Sequence, residues 1–209
     1  LLFDVTREGN FENQNILNIK SDLKTVAESK RLSEEMLAAI IQGNKQHLLK
    51  VRSKHIAPCV DQKQLTSWNG LMLAVLADSA TTLQNEDYKL AAIQNASHLR
   101  SNLFQQTRLL RTHNKGLSKL NGYLEDYSFL ALGMLSVYKL TLDSIWLDTA
   151  MDLADNMLNL FWEETETAFY DTGTDHESLM VRPRESFDNA IPSGASIACS
   201  VLLHLSILT

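Results

Sequence analysis

From residue 33 onward, two kinds of apolar pattern alternate along the chain. Residues 33–53 open on Ser33, a favoured N-cap, followed by Glu34 and Glu35, whose charge suits the positive end of a helix. Met36, Leu37, Ile40, Ile41, Leu48, Leu49 and Val51 leave room for a polar face, which predicts an amphipathic helix with one solvated side. The run Leu71-Met72-Leu73-Ala74-Val75-Leu76-Ala77 is apolar in every direction around a helix axis, so it must be buried on all sides. Residues 88–104 return to one stripe, made by Tyr88, Ala92, Ala96, Leu99 and Leu103, with Lys89, Gln94, Asn95, His98 and Arg100 opposite.

The alternation then repeats. Residues 127–140 are apolar all round, carrying Phe129, Leu130, Ala131, Leu132, Met134, Leu135, Val137 and Tyr138. Residues 146–162 place Ala150, Ala154, Met157 and Phe161 on one side and Asp148, Asp152, Asp155 and Asn159 on the other, and residues 197–208 are again apolar nearly all round. Setting Tyr88 on Trp146 puts Ala92 on Ala150, Ala96 on Ala154, Leu103 on Phe161 and Phe104 on Trp162. The same offset of about 58 residues puts Trp68 on Asp126, Leu71 on Phe129 and Ala74 on Leu132. A buried helix followed by an amphipathic one, repeated at a fixed period, predicts an all-α fold: an incomplete (α/α)6 toroid of about three hairpins, with an inner wall of buried helices and an outer wall of amphipathic ones. A plain helical bundle or an open solenoid is the alternative. The chain reads as one partial domain over 1–209, with an irregular lead-in at 1–32 and hairpin units at 33–83, 87–141 and 144–209.

Composition agrees with helices. The 209 residues include only three prolines and eight glycines, and 44% are hydrophobic, enough for a core. No apolar run approaches the roughly 18 residues of a membrane span, so no membrane partner is expected. The net charge of -6 is concentrated between Asp143 and Asp188, where twelve acidic residues meet only Arg182 and Arg184. Without a basic stripe, nucleic acid is not expected as a partner. Cys59 and Cys199 form no motif, and a reduced, cytoplasmic setting is the default. The chain opens at Leu1 without methionine and stops at Thr209 directly after a helical run, which reads as part of a longer protein.

In such a ring all inner helices start at one end, and the connections into them lie there too. Those connections, residues 53–67, 105–123 and 163–192, are long, whereas Gln84-Asn85-Glu86 and Thr141-Leu142-Asp143 at the other end are short. The candidate chemistry therefore belongs to the starts at Trp68-Asn69, Glu125-Asp126 and Ser193-Gly194, together with the acidic third loop. Asp126 and His176 are the acid–base candidates, with Asp175 or Glu177 orienting His176. Glu125 and Asp126 are paired carboxylates about 100° apart on a helix, so at most one faces the ring centre while the other caps the helix. Trp68, Asn69, Tyr123, Glu125, Asp171, Glu177, Arg182, Asp188 and Ser193 are candidates for holding a substrate, Trp68 by stacking and Arg182 as a clamp. Each has a structural alternative in packing, capping or ion pairing. Asp171, Asp175, His176 and Glu177 lack the helix-spaced His pair of a metal centre, so neither metal nor cofactor is expected. His47, His55, His98, His113 and His204 read as structural or surface residues.

Five ordered motifs carry a family resemblance. These are Val5-Thr6-Arg7-Glu8-Gly9-Asn10-Phe11-Glu12, Leu65-Thr66-Ser67-Trp68-Asn69-Gly70-Leu71-Met72, Gly122-Tyr123-Leu124-Glu125-Asp126-Tyr127, Asp175-His176-Glu177 with Arg182-Pro183, and Pro192-Ser193-Gly194. Together they resemble the helical domain of the spermatogenesis-associated, thioredoxin-domain-containing protein family. The resemblance implies a toroid similar to six-hairpin glycosidases and N-acylglucosamine 2-epimerases, of which this chain holds about the middle three hairpins. It also implies a thioredoxin-like domain elsewhere in the same full-length protein. Residues 56–63 depart from the family in lacking its basic and paired-Asp character, and Cys59 looks like an isolated substitution. Two functions follow as expectations: a domain that binds or acts on a small-molecule carbohydrate, as hydrolase or epimerase, or a non-catalytic scaffold serving the thioredoxin-like domain. Half a ring is expected to be inactive alone and to self-associate through its exposed edges.

Overall fold

The computed structural model describes residues 2–209 and divides into two compact units, Leu1–Val60 and Asp61–Thr209. The expected hairpin unit 33–83 spans that division.

The first unit holds α1 (Leu23–Lys30) and α2 (Glu34–Arg52). α1 interrupts the lead-in that its composition made look irregular. Its signal is short: Asp22 accepts from the Thr25 N–H, and Val26 and Ala27 are buried against Leu37 of α2. Ser33 caps α2 as its sequence predicts, accepting from the Met36 N–H at 3.2 Å. The preceding loop is tied by Asn10, which accepts from the Ile16 N–H and donates to the carbonyls of Asp4 and Ile16. Met36, Ile40, Leu48 and Leu49 of α2 stay exposed.

The second unit contains β1 (Gln64–Leu65), α3 (Thr66–Leu83), α4 (Glu86–Asn102), β2 (Phe104–Gln105), β3 (Arg108–Asn114), β4 (Leu117–Asn121), α5 (Leu124–Thr141), α6 (Ser144–Phe161), β5 (Trp162–Glu163), β6 (Ala168–Phe169) and α7 (Gly194–Leu208). α5 lies between α3 and α7, with α4 against α3 and α5, and α6 against α5 and α7. This is the inner row and outer row that the alternation predicts. α5 is buried on every side, whereas α3 leaves Trp68, Met72, Val75 and Leu83 exposed and α7 leaves Leu203 and Ile207 exposed. The outer-helix residues equated by the repeat, Ala92 with Ala150, Ala96 with Ala154 and Leu103 with Phe161, are all buried.

α3 and α5 meet through two glycines. A Cβ on Gly70 would stand 2.6 Å from the Leu130 nitrogen, and one on Gly133 would stand 2.7 Å from the Gly70 carbonyl oxygen. No side chain fits between these backbones, so the closeness of the inner wall depends on both positions.

The connection expected as a long loop at 105–123 is largely a β-hairpin. β3 and β4 pair antiparallel with Asn114 opposite Leu117, and Lys115 and Gly116 both take positive φ in the two-residue turn. β1 and β2 add to β3, with Leu65 opposite Thr112 and Phe104 opposite Leu109. After α6 a short pair, Trp162 opposite Phe169, takes the place that Phe104 and Leu109 hold after α4. The rest of that second connection is irregular up to α7. Among the described residues no helix is long and apolar enough to cross a membrane.

Candidate functional site

The three inner helices start together. The Ser67 N–H, in the first turn of α3, donates to Asp126 Oδ1 at 2.9 Å, in the first turn of α5. At the start of α7, a Cβ on Gly194 would lie 3.0 Å from the Glu125 nitrogen. The two connections close over this end and leave a cavity of about 500 Å³. Arg111 comes from β3, Tyr123 and Glu125 from the start of α5, Ser193 and Gly194 from the start of α7, and Asp171, Glu185, Phe187, Asn189, Ile191 and Pro192 from the connection before α7.

Asp126 is the hub beneath it. Its side chain is fully buried and accepts from the N–H groups of Ser67 and Tyr123 and from Arg111 Nη1 at 3.0 Å. Tyr123 is the N-cap and Asp126 the third helical residue, the position from which a carboxylate reaches back to the cap N–H. Burial pushes its pKa up to about 6, with Glu125 adding to the rise, against the two N–H groups and Arg111.

Arg111 ties the hub to the pocket. The same Nη1 lies 3.0 Å from Glu125 Oε1, and the guanidinium sits 4.7 Å from the centre of the Tyr123 ring. Burial works against its charge, but the carboxylates of Asp126 and Glu125 outweigh burial and raise its pKa. Asp171 is half-buried and fixed on both sides: its carbonyl accepts from the Leu124 N–H, and its own N–H donates to the Pro183 carbonyl. The Glu185 N–H donates to Asp171 Oδ2 at 2.9 Å. Burial raises the Asp171 pKa, and the charges of Glu185 and Glu125 add to the rise despite that hydrogen bond.

Of the residues singled out in the sequence, Tyr123, Glu125, Asp171 and Ser193 come together at the cavity, with Pro192 and Gly194 on either side of Ser193. The other site candidates do not line it. Asp126 lies below, so the carboxylate that caps is Asp126 and the one facing the pocket is Glu125. Asp175 pairs with Arg108 Nε at 2.7 Å. His176 Nδ1 accepts from the Gly173 N–H at 3.0 Å, so a neutral ring carries its proton on Nε2, and the ring stacks on Tyr123 at 4.9 Å. Arg182 donates to the Thr172 carbonyl and covers the Tyr170 ring, lining with His176 and Glu177 a separate cavity of about 300 Å³. Asp188 accepts from the Ser193 N–H at 2.8 Å and from the Ser196 hydroxyl, which hold its pKa low, and so secures the α7 start. Asn69 donates back to the Leu65 carbonyl, and Trp68 is 62% exposed and outside the cavity lining.

Sequence reading missed Arg111, Glu185 and Phe187. Arg111 needed the hairpin, whose signal was the Asn114-Lys115-Gly116 turn. Glu185 and Phe187 sit in the loop already marked as rich, between Arg184 and Asp188. No three His, Cys, Asp or Glu side chains among the described residues converge in a way that could hold a metal ion.

An inner row of helices starting around one polar cavity, backed by an outer row, defines a segment of a helical α/α toroid. Spermatogenesis-associated protein 20 of Rattus norvegicus is 30% identical over 215 residues, covering 96% of this chain and 27% of that protein. The human protein of the same name is 28% identical over 95% of this chain. The chain is thus a homologue of spermatogenesis-associated protein 20, spanning about a quarter of the length of these relatives. No family model matches the chain. A sugar epimerase from a ruminal bacterium shares the fold at a TM-score of 0.55 and 10% identity, over 73% of this chain and 40% of that one.

Proposed function

We propose that the cavity binds a carbohydrate and that the toroid containing this segment acts on it by general acid–base chemistry. The observation that carries this reading is the placing of two carboxylates with different surroundings, Glu125 and Asp171, in one 500 Å³ cavity at the shared inner-helix start. Asp171, whose pKa is raised by burial and by the charges of Glu185 and Glu125, passes a proton to a sugar oxygen and takes it back. Glu125, fixed by Arg111, accepts one. Asp126 holds α3, α5 and Arg111 in register beneath them, and His176 backs the Tyr123 ring. The fold shared with a sugar epimerase supports the choice of substrate class.

The test is a panel of mono- and disaccharides offered to the intact protein, followed by hydrolysis and epimerisation assays on those that bind. Asp171→Asn and Glu125→Gln are each expected to lower turnover by about 10²- to 10⁴-fold while the protein stays folded. Turnover unchanged in both variants refutes the assignment. A panel in which no sugar binds leaves the segment as a scaffold for the rest of its polypeptide.

A further inference from the structure

We infer that the pocket selects a sugar carrying a free, protonated amine over neutral, uronic or phosphorylated sugars. This rests on the carbohydrate reading above and names the substrate class within it.

The site is a walled cavity, and the sign of its interior follows from which charges are already spent. Arg111 is the sole cation lining it among the described residues, and that guanidinium is held by Glu125 and Asp126 at 3.0 Å each. The partial positive ends of α5 and α7 point at the same place, each about half a charge. Asp126 answers the first through the Tyr123 N–H, and Asp188 with the Ser193 hydroxyl answers the second. The nearby arginines are also engaged: Arg184 with Glu166 at 3.3 Å, and Arg182 over Tyr170. That leaves Glu185, which makes no ion pair among the described residues, beside a Glu125 that shares its arginine and an unpaired Asp171 that can accept from an ammonium whether or not it is protonated. A phosphate or uronate entering here meets like charge and no unspent donor cation, which repels it.

The spacing favours an organic cation over a bare metal ion, because the carboxylates do not converge on one point. An ammonium on a sugar ring reaches one wall while its hydroxyls engage the others. The exposed Phe187 ring, which lines the same cavity, is free to stand over it, whereas Tyr123 already carries Arg111 and His176.

The experiment is titration calorimetry of the intact protein at pH 6.5 and low salt with glucosamine, glucose, glucose 6-phosphate and putrescine. Glucosamine is expected to bind roughly tenfold or more tightly than glucose, and glucose 6-phosphate more weakly than glucose. The preference should shrink in about 0.5 M salt and vanish in the Asp171→Asn/Glu185→Gln double variant, whose folding is checked by circular dichroism. Equal binding of glucose and glucosamine, or a preference for the phosphate, overturns the inference while leaving the carbohydrate reading intact. Tight putrescine with no sugar binding overturns the carbohydrate reading and the amino-sugar class but keeps the sign of the pocket. Binding of none of the four overturns both.

Discussion

The connections after α4 and after α6 occupy the same place in a 58-residue repeat, yet they bring opposite things to the site. Both begin alike, with Phe104 opposite Leu109 and Trp162 opposite Phe169. The first continues as an ordered hairpin and delivers a cation, Arg111, half-buried and locked to two carboxylates. The second runs irregularly and delivers Asp171 and Glu185, which have no cation of their own. The helices are constrained by burial and so keep the repeat; the connections face the cavity and are free to differ. Chemistry is carried by what the repeat does not fix.

The comparison breaks most severely where the repeat itself is cut. Gly70→Ala forces a methyl group into the α5 backbone at 2.6 Å, and should lower stability by about 3 kcal/mol or more, a fall of roughly 10 °C in Tm by calorimetry. Arg111→Met comes next. It keeps the volume but leaves Asp126 buried without its cation, and about 3 kcal/mol should be lost in urea unfolding. Glu185→Gln, in the other connection, should leave the urea midpoint unchanged because its side chain is exposed.

The pH dependence isolates the hub. Asp126 has a folded pKa of about 6 against an ordinary 3.8, so the folded state holds a proton that the unfolded state has released. Its contribution is therefore fully present below about pH 4 and is lost as the pH rises to about 6, a change of about 3 kcal/mol, with no further change above. Carboxylates held low, such as Asp188, act in the opposite sense. The quantity to measure is thus the difference in urea midpoints between wild type and Asp126→Asn from pH 4 to 7. A difference that stays constant contradicts the burial of an ionisable Asp126. Trp68→Ala should do little to either property: exposed and outside the cavity lining, it should shift stability within about 0.5 kcal/mol and leave sugar affinity alone.

The sequence showed the helices because their burial is periodic. α5 is apolar all round because it is enclosed, and the alanines of α4 and α6 align because each presses on an inner helix. The short α1 and the hairpin escaped because their signals are local. Eight residues with one cap make a weak stripe, and in β3 Leu109 and Leu110 are adjacent buried residues that break strict alternation. Within the site, helix starts were legible and roles were not. Glu125 and Asp126 differ by one position, and only the geometry of the N-terminal turn decides that Asp126 turns back to the cap while Glu125 faces the cavity. His176 and Asp175 looked reactive because their types are reactive. Of their partners, Gly173 is local, but Tyr123 and Arg108 come from elsewhere along the chain and could not be paired with them from spacing.

The central claim is that the two connections jointly form a ligand site at the inner-helix start. Amide chemical-shift mapping of the intact protein during a glucosamine titration tests it most directly. The account predicts saturable shifts at Tyr123 to Glu125, Asp171, Glu185 to Asn189 and Ser193 to Gly194, from both connections together. Saturable shifts confined to residues away from that end, such as α2, would contradict it.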